Sequence, residues 1–125
     1  MVYDEQLAER VRTVLGERRG VTEKRLLGTL AFMVNGAMCC SVGREGLLVR
    51  VDADQRAALL GEPFVSPMKL GARTMKGFVQ VSLEALRTRA EVARWIERGI
   101  EAGIRRKEGA SRRVASAPTD RRRKR

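Results

Sequence analysis

The chain contains no histidine. That absence removes Ser–His and Cys–His nucleophilic chemistry and every histidine-ligated metal site. Its two cysteines, Cys39 and Cys40, are adjacent. Neighbours on a strand point to opposite faces, so a disulfide framework linking distant elements is excluded. A reactive thiolate needs nearby cations or a helix N-terminus, and a tetrahedral metal needs about four ligands. Two consecutive strand cysteines supply neither, and are read as small hydrophobes filling a sheet. No apolar run approaches the about 20 residues that span a bilayer. The opening Met-Val-Tyr-Asp-Glu has neither the basic nor the apolar region of a signal peptide. A cytoplasmic location without membrane contact is therefore expected. There is no phosphate loop, and no spacing singles out a catalytic pair of carboxylates. The expectation is a non-enzyme with no catalytic residue, cofactor or metal.

What is abundant is positive charge. The 125 residues carry 26 Lys and Arg against 15 Asp and Glu, a formal charge of +11. Residues 105–125 hold ten of the basic residues against Glu108 and Asp120, whereas residues 1–104 hold 16 basic and 13 acidic groups. The folded part is thus nearly balanced and the excess sits at the C-terminal end. Arg outnumbers Lys by 21 to five, a skew that GC-rich coding would also produce. The length suits one domain with a single core.

The densest apolar block runs from Leu26 to Val51. Leu30–Val34 is followed by Asn35-Gly36, the dipeptide that best tolerates the two positive φ angles of a two-residue hairpin turn. Strands over 37–42 and 47–51 follow, joined by Gly43-Arg44-Glu45-Gly46, so the block reads as an antiparallel meander. One face of such a sheet needs helices to cover it. The first helix is expected over 4–19, capped by Asp4, with Leu7, Val11, Val14 and Leu15 on one face and Arg18, Arg19 and Gly20 closing it. Residues 24–27 are expected to be extended, leading into the meander. Asp52 with Gln55 resembles a capping box for a short helix over 53–60, with Leu59 and Leu60 inward and Gly61 and Pro63 as the stop. Residues 64–70 form a fourth strand that Pro67 confines to an edge or bulge. After the loop at 71–74, residues 75–81 form a fifth strand, and Ser82 caps a brief turn over 83–86. Thr88 and Glu91 have capping-box spacing, and Val92, Ile96, Ile100 and Ile104 form an i, i+4 stripe on the last helix, with Trp95 beside it. Beyond Lys107 the periodicity is lost, so 108–125 reads as a disordered basic tail. The expected fold class is α+β, two layers with an antiparallel five-stranded sheet, in the order α-β-β-β-α-β-β-α.

Several separated strings, in order, resemble the N-terminal domain family of the TfoX/Sxy competence regulators. They are Tyr3-Asp4-Glu5 with Leu7, Val21-Thr22-Glu23-Lys24, Leu30-Ala31-Phe32-Met33 with Asn35-Gly36, and Met38-Cys39-Cys40. Leu48-Val49-Arg50-Val51, Pro67-Met68, Met75-Lys76-Gly77, Val81 and Trp95 continue the match across residues 3–107. This chain departs from the pattern at Leu27, Thr29 and Phe64, where relatives commonly carry an aromatic, a glycine and a histidine. The resemblance implies a two-layer α/β domain with an antiparallel sheet, which agrees with the reading of the residues. It also implies a bacterial transcription coactivator of DNA-uptake genes that works with a cyclic-AMP receptor protein, not an enzyme. The best-known relatives carry a second, C-terminal domain, for which residues 108–125 are too short.

Four further patterns bear on function. Ser66-Pro67-Met68-Lys69 matches the S-x-x-K of penicillin-interacting enzymes, but Pro67 and the strand context oppose the helix that chemistry needs, and its companion motifs are missing. Gly99-x-x-x-Gly103 implies close packing against the sheet or a second copy. Lys69, Arg73 and Lys76 bracket the second hairpin, with Arg50 on the neighbouring part of the sheet; if they share a face, the four form a candidate surface for an acidic partner or a phosphate backbone, with a plain solvated face as the alternative. The tail basics Arg112, Arg113, Arg121, Arg122, Arg123, Lys124 and Arg125 are candidates for nonspecific DNA contact through counterion release. The expected role is regulatory, through a protein partner in the transcription machinery, with a homodimer open. A nucleic-acid-binding module acting without a protein partner is the alternative.

Overall fold

The computed structural model describes residues 3–116 except Glu17, Leu27 and Gly71; for Leu70 and for 107–116 it describes the backbone alone. The elements are α1 (Glu5–Leu15), β1 (Val21–Leu26), β2 (Thr29–Val34), β3 (Ala37–Val42), β4 (Gly46–Arg50), α2 (Ala53–Leu60), β5 (Val65–Leu70), β6 (Arg73–Ser82) and α3 (Arg89–Ser116), with a 3₁₀ turn at Leu83–Ala85. All strand pairs are antiparallel and form one sheet in the order β1-β2-β3-β4-β6-β5. The chain is α+β as expected, but the sheet has six strands, not five. The additional strand, β1, pairs Val21 with Val34 and Leu26 with Thr29. It is exposed along almost its whole length, so its charged residues never needed the apolar alternation that identifies a half-buried strand.

The Asn35-Gly36 turn has the two positive φ angles its sequence demands, 52° and 85°. Helix α1 is capped by Asp4, whose Oδ1 accepts from the Leu7 N–H at 2.8 Å. It closes at Gly16 rather than Gly20, with the Gly16 N–H bonded to the Arg12 carbonyl at 2.8 Å. Arg18 then leaves the helix and pairs with Glu97 of α3. Helix α3 starts with the expected box: the Thr88 N–H donates to Glu91 Oε1 at 3.0 Å, and the Glu91 N–H donates to Thr88 Oγ1 at 3.1 Å. It continues through residue 107, where an aperiodic tail was expected to begin, as far as Ser116. Helix-favouring Ala and Arg in that stretch need no apolar stripe to stay helical.

One face of the sheet is the core. Register places Leu30 and Phe32 beside Val42 and Cys40, these beside Leu47 and Val49, and these beside Val81 and Val79. All are buried, and they form one cluster with Leu7, Val11, Leu86, Val92, Trp95, Ile96 and Ile100. Helix α3 lies over β3 and β4 and touches α1, while α2 packs on β6 and β5. Each fully buried aliphatic contributes roughly 1.5–3 kcal/mol relative to exposure. Ile104, expected on the same stripe, is 48% exposed; the inward face of α3 ends at Gly103, which meets Ala37. On the opposite face Met33, Met38, Leu48, Phe78 and Gln80 are half-buried and Lys24 is exposed.

The pairing register shifts at two places, at Pro67/Met68 between β5 and β6 and at Phe32/Met33 between β2 and β3. Phe32 pairs with Cys40 but Met33 pairs with Met38, so Cys39 is an extra residue in β3, a β-bulge. The bulge turns Cys39 towards α3, where its Sγ donates to the Ile96 carbonyl at 3.5 Å. Both cysteines therefore share the core face, contrary to the expectation of opposite faces.

Candidate functional site

The four cations expected on and beside the second hairpin separate into two pairs. Lys69 and Arg73 stand at its turn, opposite Thr74 and Leu70, and Lys69 and Arg73 are exposed. Arg50 and Lys76 instead line one cleft of about 260 Å³ with Val51, Asp52, Ala53, Gly77, Ala102 and Arg106. Arg50 ends β4 and Lys76 lies on β6, brought alongside by the bond from the Val51 N–H to the Gly77 carbonyl at 2.9 Å. Arg106 comes from α3. Its membership could not be read from chain order, because the packing of α3 on β4 decides it; its position one turn past the buried Ala102 was the only signal.

Arg50 is held firmly. Its Nε donates to the Met38 carbonyl at 2.6 Å, and its guanidinium lies 4.8 Å from the centre of the Phe78 ring. The bulge at Cys39 ends the ladder between β3 and β4 near this point, which leaves the Met38 carbonyl available to it. Burial pushes the Arg50 pKa down, and the positive charge of Arg106 pushes it the same way. Asp52 also faces the cleft, but its Oδ2 is taken by Arg105 at 2.5 Å. That pairing corrects the capping-box expectation: Asp52 stands at the N-cap of α2 without a side-chain cap bond.

The remaining candidates are inert or lie elsewhere. Ser66 and Lys69 sit on β5, an extended strand, so the S-x-x-K string has no helix start for its serine. The Cys40 thiol is raised well above its usual pKa by its bond with Cys39 and by burial, the reverse of what a nucleophile needs. Among the described residues no group of three or more His, Cys, Asp or Glu could hold a metal. No helix among them is long and apolar enough to cross a membrane. Gly99 and Gly103 both face the β2–β3 hairpin of this same chain, against Cys39 and Ala37. Of the tail candidates, the side chains of Arg112 and Arg113 lie outside the described residues, as do Arg121, Arg122, Arg123, Lys124 and Arg125 altogether.

The fold is that of a small α+β domain, and Arg50, Lys76 and Arg106 line one of its clefts. The sequence matches the TfoX N-terminal domain family over residues 13–103, and the chain belongs to that family. No curated protein and no solved structure was found to match it.

Proposed function

We propose that the chain is a non-enzymatic regulatory domain that acts by contacting a protein partner in the transcription machinery, in the manner of the TfoX/Sxy coactivators. Membership of the TfoX N-terminal domain family over residues 13–103 carries this reading. The half-buried Met33, Met38, Leu48 and Phe78 on the sheet face opposite the core support it, since they offer apolar area to a partner. The basic C-terminal residues add nonspecific affinity for DNA, and the site of action is the bacterial cytoplasm. A homodimer is compatible with the reading.

Direct nucleic-acid binding without a protein partner is the second reading, favoured by the formal charge of +11. Fluorescence anisotropy with labelled duplex DNA separates the two. The full chain is compared with a variant in which Arg112, Arg113 and the basic residues of 121–125 are replaced by Gln, at low and near-physiological salt. The expected result is weak binding by the full chain that collapses as salt rises and vanishes in the variant. Sequence-selective binding that survives in the variant would replace the coactivator reading by the second one.

A further inference from the structure

We propose that the cleft between β4, β6 and α3 is a binding site for a phosphate-type oxyanion, held by Arg50, Lys76 and Arg106. The inference goes beyond the regulatory reading and does not depend on it.

Three cations from three different elements converge on this cleft. None of them forms an ion pair among the described residues, whose bridges are Arg12–Glu9, Arg12–Glu23, Arg18–Glu97, Arg98–Glu62 and Arg105–Asp52. The one carboxylate lining the cleft, that of Asp52, is already neutralised by Arg105. The cleft therefore carries an uncompensated positive charge, part of it on a half-buried guanidinium. Arg50 and Arg106 repel one another there, and an anion between them removes that repulsion while replacing lost hydration.

The geometry favours an oxyanion with several acceptors. Arg50 is fixed by its Nε bond to Met38 and by the Phe78 ring, so little side-chain entropy remains to be lost on binding. That bond engages Nε alone, which leaves the two Nη groups as a paired donor edge. A planar carboxylate is satisfied by one arginine, whereas cations arriving from a strand end, a second strand and a helix match the divergent oxygens of a tetrahedral phosphate. Ala53, the first residue of α2, also lines the cleft. The cleft, at about 260 Å³, lies below the roughly 300–1,000 Å³ of pockets for drug-sized ligands. It suits a phosphate group better than a whole nucleotide.

Titration of the full ¹⁵N-labelled chain with inorganic phosphate, against chloride at equal ionic strength, tests the site. Saturable shifts are expected at the Arg50 Nε–H and at the amides of Val51, Ala53 and Gly77. Lys76 and Arg106 are exposed, so K76Q and R106Q are not expected to unfold the domain. Each should weaken phosphate binding about tenfold, the loss of one charged hydrogen bond, while K69Q at the hairpin turn leaves it unchanged. Shifts that chloride reproduces, that never saturate, or that persist at full strength in R106Q overturn the proposal. Short duplex DNA added to the phosphate-saturated protein then identifies the source. Displacement of the phosphate shifts assigns the site to backbone phosphate, and unmoved shifts assign it to a free phosphate or phosphomonoester; the site stands in both cases.

Discussion

Gly99 of α3 lies directly against the carbonyl of Cys39: a Cβ built on Gly99 would come within 2.6 Å of that oxygen and 3.0 Å of the Cys39 Sγ. A backbone carbonyl on a bulge cannot step aside as a side chain would. Gly99→Ala is therefore expected to destabilise the domain by roughly 1–3 kcal/mol through overpacking. Gly103, one turn on, would place its Cβ an ordinary 3.4 Å from the Ala37 methyl. Gly103→Ala should be neutral or stabilising, by up to ~1 kcal/mol of helix propensity. Urea unfolding of the two variants checks the contrast, and equal effects would contradict the packing described.

The paired thiols give a second prediction. Cys39 and Cys40 are free and buried, so a thiol reagent near neutral pH should label neither in the folded protein and both after denaturant is added. The Cys40 pKa is raised in the folded state by Cys39 and by burial. An unfolded thiol ionises near pH 8.5. Above that pH the unfolded chain loses a proton that the folded chain keeps, so stability is flat below it and falls as pH rises. Melting temperatures recorded from pH 7 to 10 should show the decline, and a C40A variant should show less of it.

At the start of α3, Thr88 and Glu91 satisfy each other's backbone N–H groups. Thr88→Ala should cost about 1 kcal/mol. Asp52 occupies the corresponding position of α2 but makes no cap bond. Asp52→Asn removes an ion pair whose Arg105 side is 54% exposed, worth roughly 0–1 kcal/mol. Calorimetry should rank Thr88→Ala as the more damaging change.

Acid should loosen α1 from β1. Arg12 donates to Glu23 through Nε at 2.8 Å and through a second guanidinium nitrogen at 2.9 Å, and it also pairs with Glu9. The Arg12 bond lowers the Glu23 pKa. A lowered folded pKa stabilises above the unfolded value, about 4.3 for Glu, and that contribution is lost as pH falls through the folded value. The pair is exposed enough for solvent to screen it, so the loss is expected to stay below ~1 kcal/mol. Glu23→Gln should flatten the stability profile between pH 5 and pH 3; an unchanged profile would show that the bridge contributes nothing.

Local chemistry was legible wherever one residue type can do one job. Asn35-Gly36 announced its turn, Asp4 and Thr88 their caps, and Pro67 the edge position of β5. What escaped depended on distant contacts. β1 was legible only as an extended lead-in over 24–27, because neither of its faces is buried deeply enough to leave an alternating pattern. The bulge at Cys39 was hidden because an inserted residue has no signature of its own, and it reversed the expected direction of one cysteine. Chain order put Lys69, Arg73 and Lys76 on one hairpin with Arg50 on the sheet beside it, whereas the fold kept Arg50 with Lys76 and helix packing added Arg106. Lys69 and Arg73 were set apart by the length of the β5–β6 hairpin.

The two margins of the sheet bear on how the protein behaves when crowded. A free strand edge offers its backbone as a template for another chain to continue the ladder, the first step towards fibres. Here β1 presents Glu23, Lys24 and Arg25 in succession, and β5 interrupts its donors with Pro67. A second molecule arriving at either margin meets charges it must desolvate or a missing N–H. Concentrated solutions should therefore resist ordered sheet growth, and the strand that defied sequence reading by being so polar is the one that keeps neighbouring molecules apart.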